Sequence, residues 1–216
     1  MAFKSSPRAL AGAALAFVCL ATSATAEPYK IVGFGDSLMA GYGLDAGQSF
    51  PEKLEQAMRA KGHDVVIVNA GVSGDTSSGG LARLDWSVPE DADLVVLELG
   101  ANDMLRGVPP QITERNLDTM ITRLKQRPVA VLLAGMRAAP NLGPEYRAAF
   151  DAIYPRLSEK HAAPLYGFFL DGVAADPRYL LDDRMHPNAA GIDRMVERFV
   201  PHLEAVIAAT PAGSAP

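Results

Sequence analysis

Apolar residues in this chain gather in five short runs, Lys30 to Phe34, Val65 to Val68, Leu94 to Leu99, Val129 to Ala134 and Leu165 to Leu170. Each run is dense in Val, Ile, Leu or Phe and continuous rather than alternating. That is the pattern of strands covered on both faces, as in a parallel sheet. Between the runs lie segments with helical spacing: Phe50 to Lys61, Gly79 to Trp86, Gln111 to Gln126, Glu145 to Lys160 and Ala189 to Ala208. In the third of these, Ile112, Leu117, Met120, Ile121 and Leu124 form an apolar stripe, while Glu114, Arg115, Asp118, Arg123 and Lys125 point elsewhere. Pro109 and Pro110 open this helix and Pro128 closes it. Strand and helix alternate throughout, so the pattern predicts an α/β fold with a doubly wound parallel sheet and right-handed crossovers.

The two ends of the chain have a different character. Lys4 and Arg8 precede an apolar run from Ala9 to Ala21, and Ala24-Thr25-Ala26 supplies a small-x-small cleavage pattern before Glu27. The run falls short of the about 20 apolar residues that a permanent membrane anchor needs. Residues 1–26 are therefore expected to be a signal peptide removed after Ala26, with the mature protein periplasmic or secreted and no stable membrane anchor. Cys19, the single cysteine, leaves with the leader, so export brings no disulfide framework. The remaining 190 residues suit one compact domain over residues 27–209. The tail 210–216, rich in Pro, Ala, Gly and Ser, is expected to be disordered.

Loss of the leader's two basic residues takes the formal net charge from −5 to −7. An acidic chain without Lys/Arg clusters is a poor candidate for nucleic acid or an anionic lipid surface. The helices carry no sustained heptad seam, so a monomer is the expectation.

Ligands of doubly wound sheets bind beyond the carboxyl ends of the strands. On that rim the sequence places Ser37 after the first strand, Ser73-Gly74-Asp75 after the second, Asn102-Asp103 after the third and the Arg137 to Gly143 loop after the fourth. Asp183 and His186 follow the fifth strand on a longer loop. Ser37 needs a base to become a nucleophile, and a neutral imidazole at His186 can serve near neutral pH. Asp183, three residues earlier on one tight turn, can orient that ring and stabilise imidazolium, with Asp182 as its competitor. A tetrahedral intermediate also needs oxyanion donors, which the Ser37 and Gly74 N–H groups and the Asn102 side-chain amide can supply. Taken singly, each of these residues has an ordinary alternative as a cap or turn residue. His63, His161 and His202 fall near the ends of expected helices and read as surface residues.

Gly35-Asp36-Ser37-Leu38, Gly74 within Ser73-Gly74-Asp75-Thr76, Gly100-Ala101-Asn102-Asp103 and Asp183-Arg184-Met185-His186 resemble, in order, the four sequence blocks of the SGNH, or GDSL-type, hydrolases. Asn69 to Ser77, Gly80 to Leu84 and Asp182 to Asn188 resemble more narrowly the bacterial periplasmic thioesterase I/lysophospholipase and arylesterase branch. The resemblance implies Ser37 as nucleophile, His186 as base, Asp183 as third member, and Ser37, Gly74 and Asn102 as oxyanion donors. It further implies a three-layer α/β/α, flavodoxin-like fold with strand order 2-1-3-4-5. Ala101 and Met104 stand where that branch would lead one to expect glycines, beside the acyl pocket.

The expected reaction is a two-step acyl transfer through an acyl-enzyme on Ser37, acting on small acyl or aryl esters and on thioesters, with no metal or organic cofactor. Asp36 is expected to shape the nucleophile loop through hydrogen bonds. Met104, Leu105, Val108, Ala138, Ala139, Pro140, Leu142, Tyr179, Leu180 and Met185 could form an apolar groove, of which Met104, Leu105, Pro140 and Met185 are the principal substrate-binding candidates. Few sugar-stacking aromatics fall on the rim, which favours lipid-like or aryl esters. The alternatives are an acetyl esterase acting on cell-wall or exopolysaccharide sugars, a metal-dependent phosphoesterase using Asp36, Asp183 and His186, and a periplasmic binding module without catalysis.

Overall fold

A computed structural model of the chain describes residues 1–2 and 27–210. The leader's apolar run and cleavage pattern, and the tail beyond Thr210, lie outside the described residues. Thr210 itself belongs to the folded body, because the Tyr29 hydroxyl donates to its carbonyl at 3.1 Å.

The elements in chain order are β1 (Tyr29–Gly35), α1 (Ser37–Ala40), α2 (Phe50–Ala60), β2 (Val65–Gly71), α3 (Ser77–Ser87), β3 (Leu94–Leu97), α4 (Ala101–Leu105), α5 (Pro110–Leu124), β4 (Ala130–Ala134), α6 (Pro144–Asp151), α7 (Ile153–His161), β5 (Leu165–Tyr166) and α8 (Ala189–Ala209). A 3-10 turn at Pro140–Leu142 precedes α6. The five strands form one parallel sheet in the order β2-β1-β3-β4-β5. β1 pairs with β2 from Tyr29 opposite Val65 to Gly35 opposite Gly71, and with β3 from Ile31 opposite Leu94. The first strand is thus flanked by the second and third, and the chain reverses its winding direction there. The crevice outside such a reversal is where α/β sheets bind ligands.

Helices cover both faces of the sheet. α2 packs with α8, and α3, α5 and α7 pack in a row. Phe50, Phe169 and Phe199 meet edge to face beneath α2 and α8, with ring centroids 4.8 Å apart for Phe50–Phe169 and 5.2 Å for Phe50–Phe199. On α5 the buried stripe is Thr113, Leu117, Met120, Ile121 and Leu124. Ile112 is only half-buried; Thr113 takes the inward position because its hydroxyl has an acceptor there, Asp103 Oδ1 at 3.2 Å.

Two expected elements differ most from their expected form. The fifth strand was expected to run from Leu165 to Leu170 but pairs only over Leu165 and Tyr166, because β4 ends at Ala134 and offers no further partner. Phe169 N–H folds back onto the Gly135 carbonyl at 2.7 Å, which buries Phe169 and leaves Phe168 and Leu170 on the rim. The helix expected over Glu145 to Lys160 is two helices, α6 and α7, parted at Ala152. Pro155 explains the break: it has no N–H to donate and its ring crowds the carbonyl of Asp151.

Gly71 lets the sheet touch the first short helix. A Cβ there would lie 2.2 Å from the Ala40 nitrogen and 2.7 Å from its Cα, and backbone cannot swing away as a side chain can. Gly71→Ala is expected to cost about 1–3 kcal/mol in denaturant unfolding through overpacking and to lower activity by displacing α1. Gly167→Ala, whose added methyl meets nothing within 4 Å, is expected to stay within about 0.5 kcal/mol of the parent.

Candidate active site

Ser37 is the first residue of α1, at the exit of β1. The Asp36 side chain caps that helix by accepting from Leu38 N–H at 3.0 Å, and Gly41, at φ +84°, ends it after one turn. The serine is thereby fixed at a sharp strand-to-helix corner, 9% exposed.

The C-terminal loop brings Asp183 and His186 to this corner. Asp183 and His186 lie on a turn, not a helix, closed by the antiparallel bridge between Leu180 and Pro187. Asp183 Oδ1 accepts from the Met185 and His186 backbone N–H groups at 2.9 and 3.0 Å, and Oδ2 lies 2.6 Å from His186 Nδ1. These bonds, the His186 N–H first and then its ring, pull the Asp183 carboxyl down to about 2. An ionised carboxylate can only accept, so Nδ1 carries the ring proton and Nε2 of the neutral imidazole is left as acceptor. Nε2 is 2.9 Å from Ser37 Oγ. The Tyr42 ring rests on the imidazole with centroids 4.4 Å apart, a contact the sequence reading did not foresee.

The loops after β2 and β3 flank the serine. Gly74 sits at φ +85°, a conformation that requires glycine, and its carbonyl accepts from Arg106 Nη2 at 2.8 Å. Asn102 lies on α4 and donates one amide hydrogen to Asp36 Oδ2 at 3.0 Å, leaving the second hydrogen for a ligand. Two buried anchors hold these loops. Asp103 accepts from Ser77 N–H at 2.7 Å and from the Ser77 hydroxyl at 2.5 Å, tying α4 to the start of α3. Arg83, 6% exposed, bonds Asp75 at 2.6 Å and the Gly35 and Ala70 carbonyls at 2.8 Å each, over the Phe34 ring. The sequence reading gave Arg83 no structural role.

Beside Ser37 opens a cavity of about 590 Å³. Met104, Leu105, Pro140 and Met185 all line it, as do Ala138, Ala139 and Leu180. Of the remaining groove candidates, Val108, Leu142 and Tyr179 are not among the lining residues; the Val108 carbonyl instead holds the Tyr146 hydroxyl at 2.8 Å. Phe168, Arg137 and Arg184 also line the cavity, though none was named as a groove candidate; of them Arg137 stood on an expected rim loop. Phe168 was read as strand, and Arg184 is turned toward the mouth by a left-handed backbone at φ +58°. Met104 sulfur receives the Ala139 N–H at 3.1 Å, so the residue standing in place of an expected glycine bridges two rim loops.

The other histidines lie outside the site. His63 is 2.8 Å from Glu204, and His202 packs against Tyr166. His161 was expected on the surface, but its side chain is 11% exposed and 2.6 Å from Asp118, because the end of α7 docks against α5. Among the described residues no cluster of three or more His, Cys, Asp or Glu side chains is arranged to hold a metal ion.

Residues 34–194 match the model of the GDSL-like lipase/acylhydrolase family. The chain belongs to that family. It is 41% identical over 172 residues to the arylesterase of Vibrio mimicus, covering 79% of this chain and 86% of the relative. It is 39% identical over 173 residues to thioesterase 1/protease 1/lysophospholipase L1 of Escherichia coli (strain K12), covering 80% and 82%. The crystal structure of AlinE4, an SGNH-hydrolase family esterase, superimposes with a TM-score of 0.71 at 46% identity, covering 87% of this chain and all of that one. The protein is accordingly an ester hydrolase with the α/β fold of that family.

Beneath the nucleophile corner this hydrolase buries two acids. Asp36 N–H donates to Glu98 Oε2 at 3.2 Å, while Glu98 Oε1 has no partner and no exposure. Burial, and then the Asp36 charge, push the Glu98 carboxyl well above its ordinary range. Burial likewise raises Asp36 to about 6, against the lowering effect of the Leu38 N–H, the Asn102 amide and His186. Glu98 therefore holds a proton in the fold that the unfolded chain releases above about pH 4.3, so its contribution to stability declines as pH rises. Glu98→Gln removes this dependence. In thermal unfolding between about pH 7.5 and 9, where Asp36 is ionised in folded and unfolded chains alike, the Tm of Glu98→Gln relative to the parent is expected to rise with pH. A gap that stays constant would mean that Glu98 is ionised in the fold.

Proposed function

We propose that this hydrolase cleaves lipid-like acyl and aryl carboxylic esters, and thioesters, through an acyl-enzyme on Ser37. The observation that carries the reading is the continuous chain from Ser37 Oγ to His186 Nε2 at 2.9 Å and from His186 Nδ1 to Asp183 at 2.6 Å, set at the mouth of a largely apolar cavity. His186 takes the Ser37 proton as the hydroxyl oxygen attacks the carbonyl carbon. The negative charge that develops on the carbonyl oxygen meets the Ser37 and Gly74 N–H groups and the free hydrogen of the Asn102 amide. His186 then gives its proton to the departing alcohol or thiol. Water, deprotonated by the same ring, releases the acid and restores the serine. Asp183 keeps the ring in the required tautomer throughout and stabilises the imidazolium.

Met104, Leu105, Pro140 and Met185 form the acyl or aryl groove. The names of the relatives, an arylesterase and a thioesterase/lysophospholipase, support ester and thioester substrates of this class. The leader pattern before Glu27 supports export, with cleavage after Ala26 and action as a periplasmic or secreted monomer. No helix among the described residues is long and apolar enough to cross a membrane.

The test is kcat/KM of residues 27–216 on p-nitrophenyl esters from acetyl to palmitoyl, with palmitoyl-CoA alongside. A maximum at medium or long chains is expected, and Ser37→Ala should lose at least about 10⁴-fold, as removal of a nucleophile from such a unit does. Ser37→Ala retaining most of the turnover in a folded protein would overturn the mechanism. A maximum at acetyl with a steep decline would keep the mechanism and redirect the substrate to small acyl groups such as sugar acetyl esters.

A further inference from the structure

The nucleophile corner and the Asn102 loop belong to different strands, and a single carboxylate joins them. Asp36 is wholly buried, with Oδ1 3.0 Å from Leu38 N–H at the start of α1 and Oδ2 3.0 Å from the Asn102 amide on α4. With the proposed function as its basis, we propose that Asp36 is a positioning residue whose carboxylate holds Asn102 in register with Ser37, so that the oxyanion hole is assembled only while Asp36 is ionised.

The argument is one of donors and acceptors. Asn102 has two amide hydrogens; Asp36 takes one and thereby fixes where the other points. An ionised carboxylate accepts on both oxygens at once, and charge-assisted bonds of this kind are about twice as strong as neutral ones. A proton on either oxygen sets a donor against a donor, weakening the helix cap or the grip on Asn102. Burial makes this proton accessible in the range where an esterase works, because it raises the Asp36 carboxyl to about 6.

Ionisable groups from several elements lie around Asp36. From the end of β3 comes Glu98, bonded to the Asp36 N–H; from the C-terminal loop comes His186, whose positive form favours the carboxylate. The loop after β2 brings Asp75, which disfavours it, and α7 brings the buried Tyr154 hydroxyl, which donates to the Leu99 carbonyl at 2.9 Å. Arg83 of α3 bonds the preceding Gly35 carbonyl at 2.8 Å. None of these donates a hydrogen bond to either Asp36 side-chain oxygen, so among the described residues the Leu38 and Asn102 bonds alone hold the carboxylate.

The experiment is a double-mutant cycle of Asp36→Asn and Asn102→Ala on one p-nitrophenyl ester, with kcat and KM separated. An asparagine at 36 has one carbonyl oxygen for two donors, so its own amide must face one of them. Asn102→Ala is expected to lower kcat roughly 100-fold, the usual effect of losing one oxyanion donor, with KM changed less than about threefold. Asp36→Asn should lower kcat on the parent about 10-fold or more, yet less than about twofold when Asn102 is already alanine. Additive losses would overturn the proposal, since a merely structural Asp36 would cost the same in both backgrounds.

A second measurement covers the case in which Asp36→Asn fails to fold. In the parent, the acid limb of kcat/KM below about pH 6 is expected to include the proton on Asp36, and therefore to fall one proton more steeply than in Asn102→Ala. Equal slopes in the two proteins would overturn the proposal. Failure of the proposed function reads differently: Asn102→Ala would then leave kcat near that of the parent, removing the oxyanion assignment itself.

Discussion

A buried guanidinium organises the reactive rim. Arg83 bonds the Gly35 carbonyl at the end of β1, the Ala70 carbonyl near the end of β2 and the Asp75 carboxylate in the following loop, all within 2.8 Å. Strand ends are where backbone groups lose their ladder partners, and a polar group left unpaired in a buried place is costly. Five fixed donors in one plane satisfy several such acceptors together, which a lysine could not do in the same geometry. The loop carrying Gly74 and the corner carrying Ser37 are therefore positioned by one side chain that never reaches the cavity.

Around this clamp the molecule places its carboxylates in two contrasting environments. Asp183 sits on a turn near solvent, takes two backbone N–H groups and the imidazole, and is pulled down to about 2. It is ionised at any pH where the ring can act as a base. Asp36 and Glu98 lie under the serine, where loss of solvation governs both. The same functional group thus serves as a permanent charge in one place and as a titrating or neutral support in the other. Hydration and local N–H donors decide which.

The cavity follows from where the chain runs out of pairing partners. β4 stops at Ala134 and β5 lasts two residues, so the segments after them become loops whose apolar side chains still need cover. Some find it in the core, as Phe169 does, and the rest face one another across the opening beside Ser37. Met104 spans two of these loops through its sulfur contact with the Ala139 N–H at 3.1 Å, which couples groove shape to the Asn102 helix.

Periodicity along the chain was sufficient for the alternation of strands and helices, since continuous and amphipathic hydrophobic patterns report burial directly. Position after each strand then placed Ser37, Gly74, Asn102, Asp183 and His186 on one rim, and the structure brings all five together. The strand order came from the family resemblance, not from periodicity. Legibility failed where geometry depends on a distant partner. The premature end of β5 was set by the length of β4, and the half-buried His161 by an aspartate 43 positions away. The break between α6 and α7 was legible at Pro155, a signal that the apolar spacing had masked. The contact of Tyr42 with His186, the turn of Arg184 toward the mouth and the gathering of four acceptors by Arg83 were likewise decided only in three dimensions. Local sequence determines which residues have the chemistry and on which side of the sheet they emerge. Which of them share a proton or a hydrogen bond is a property of packing, because those energies fall steeply with distances that only the folded chain establishes.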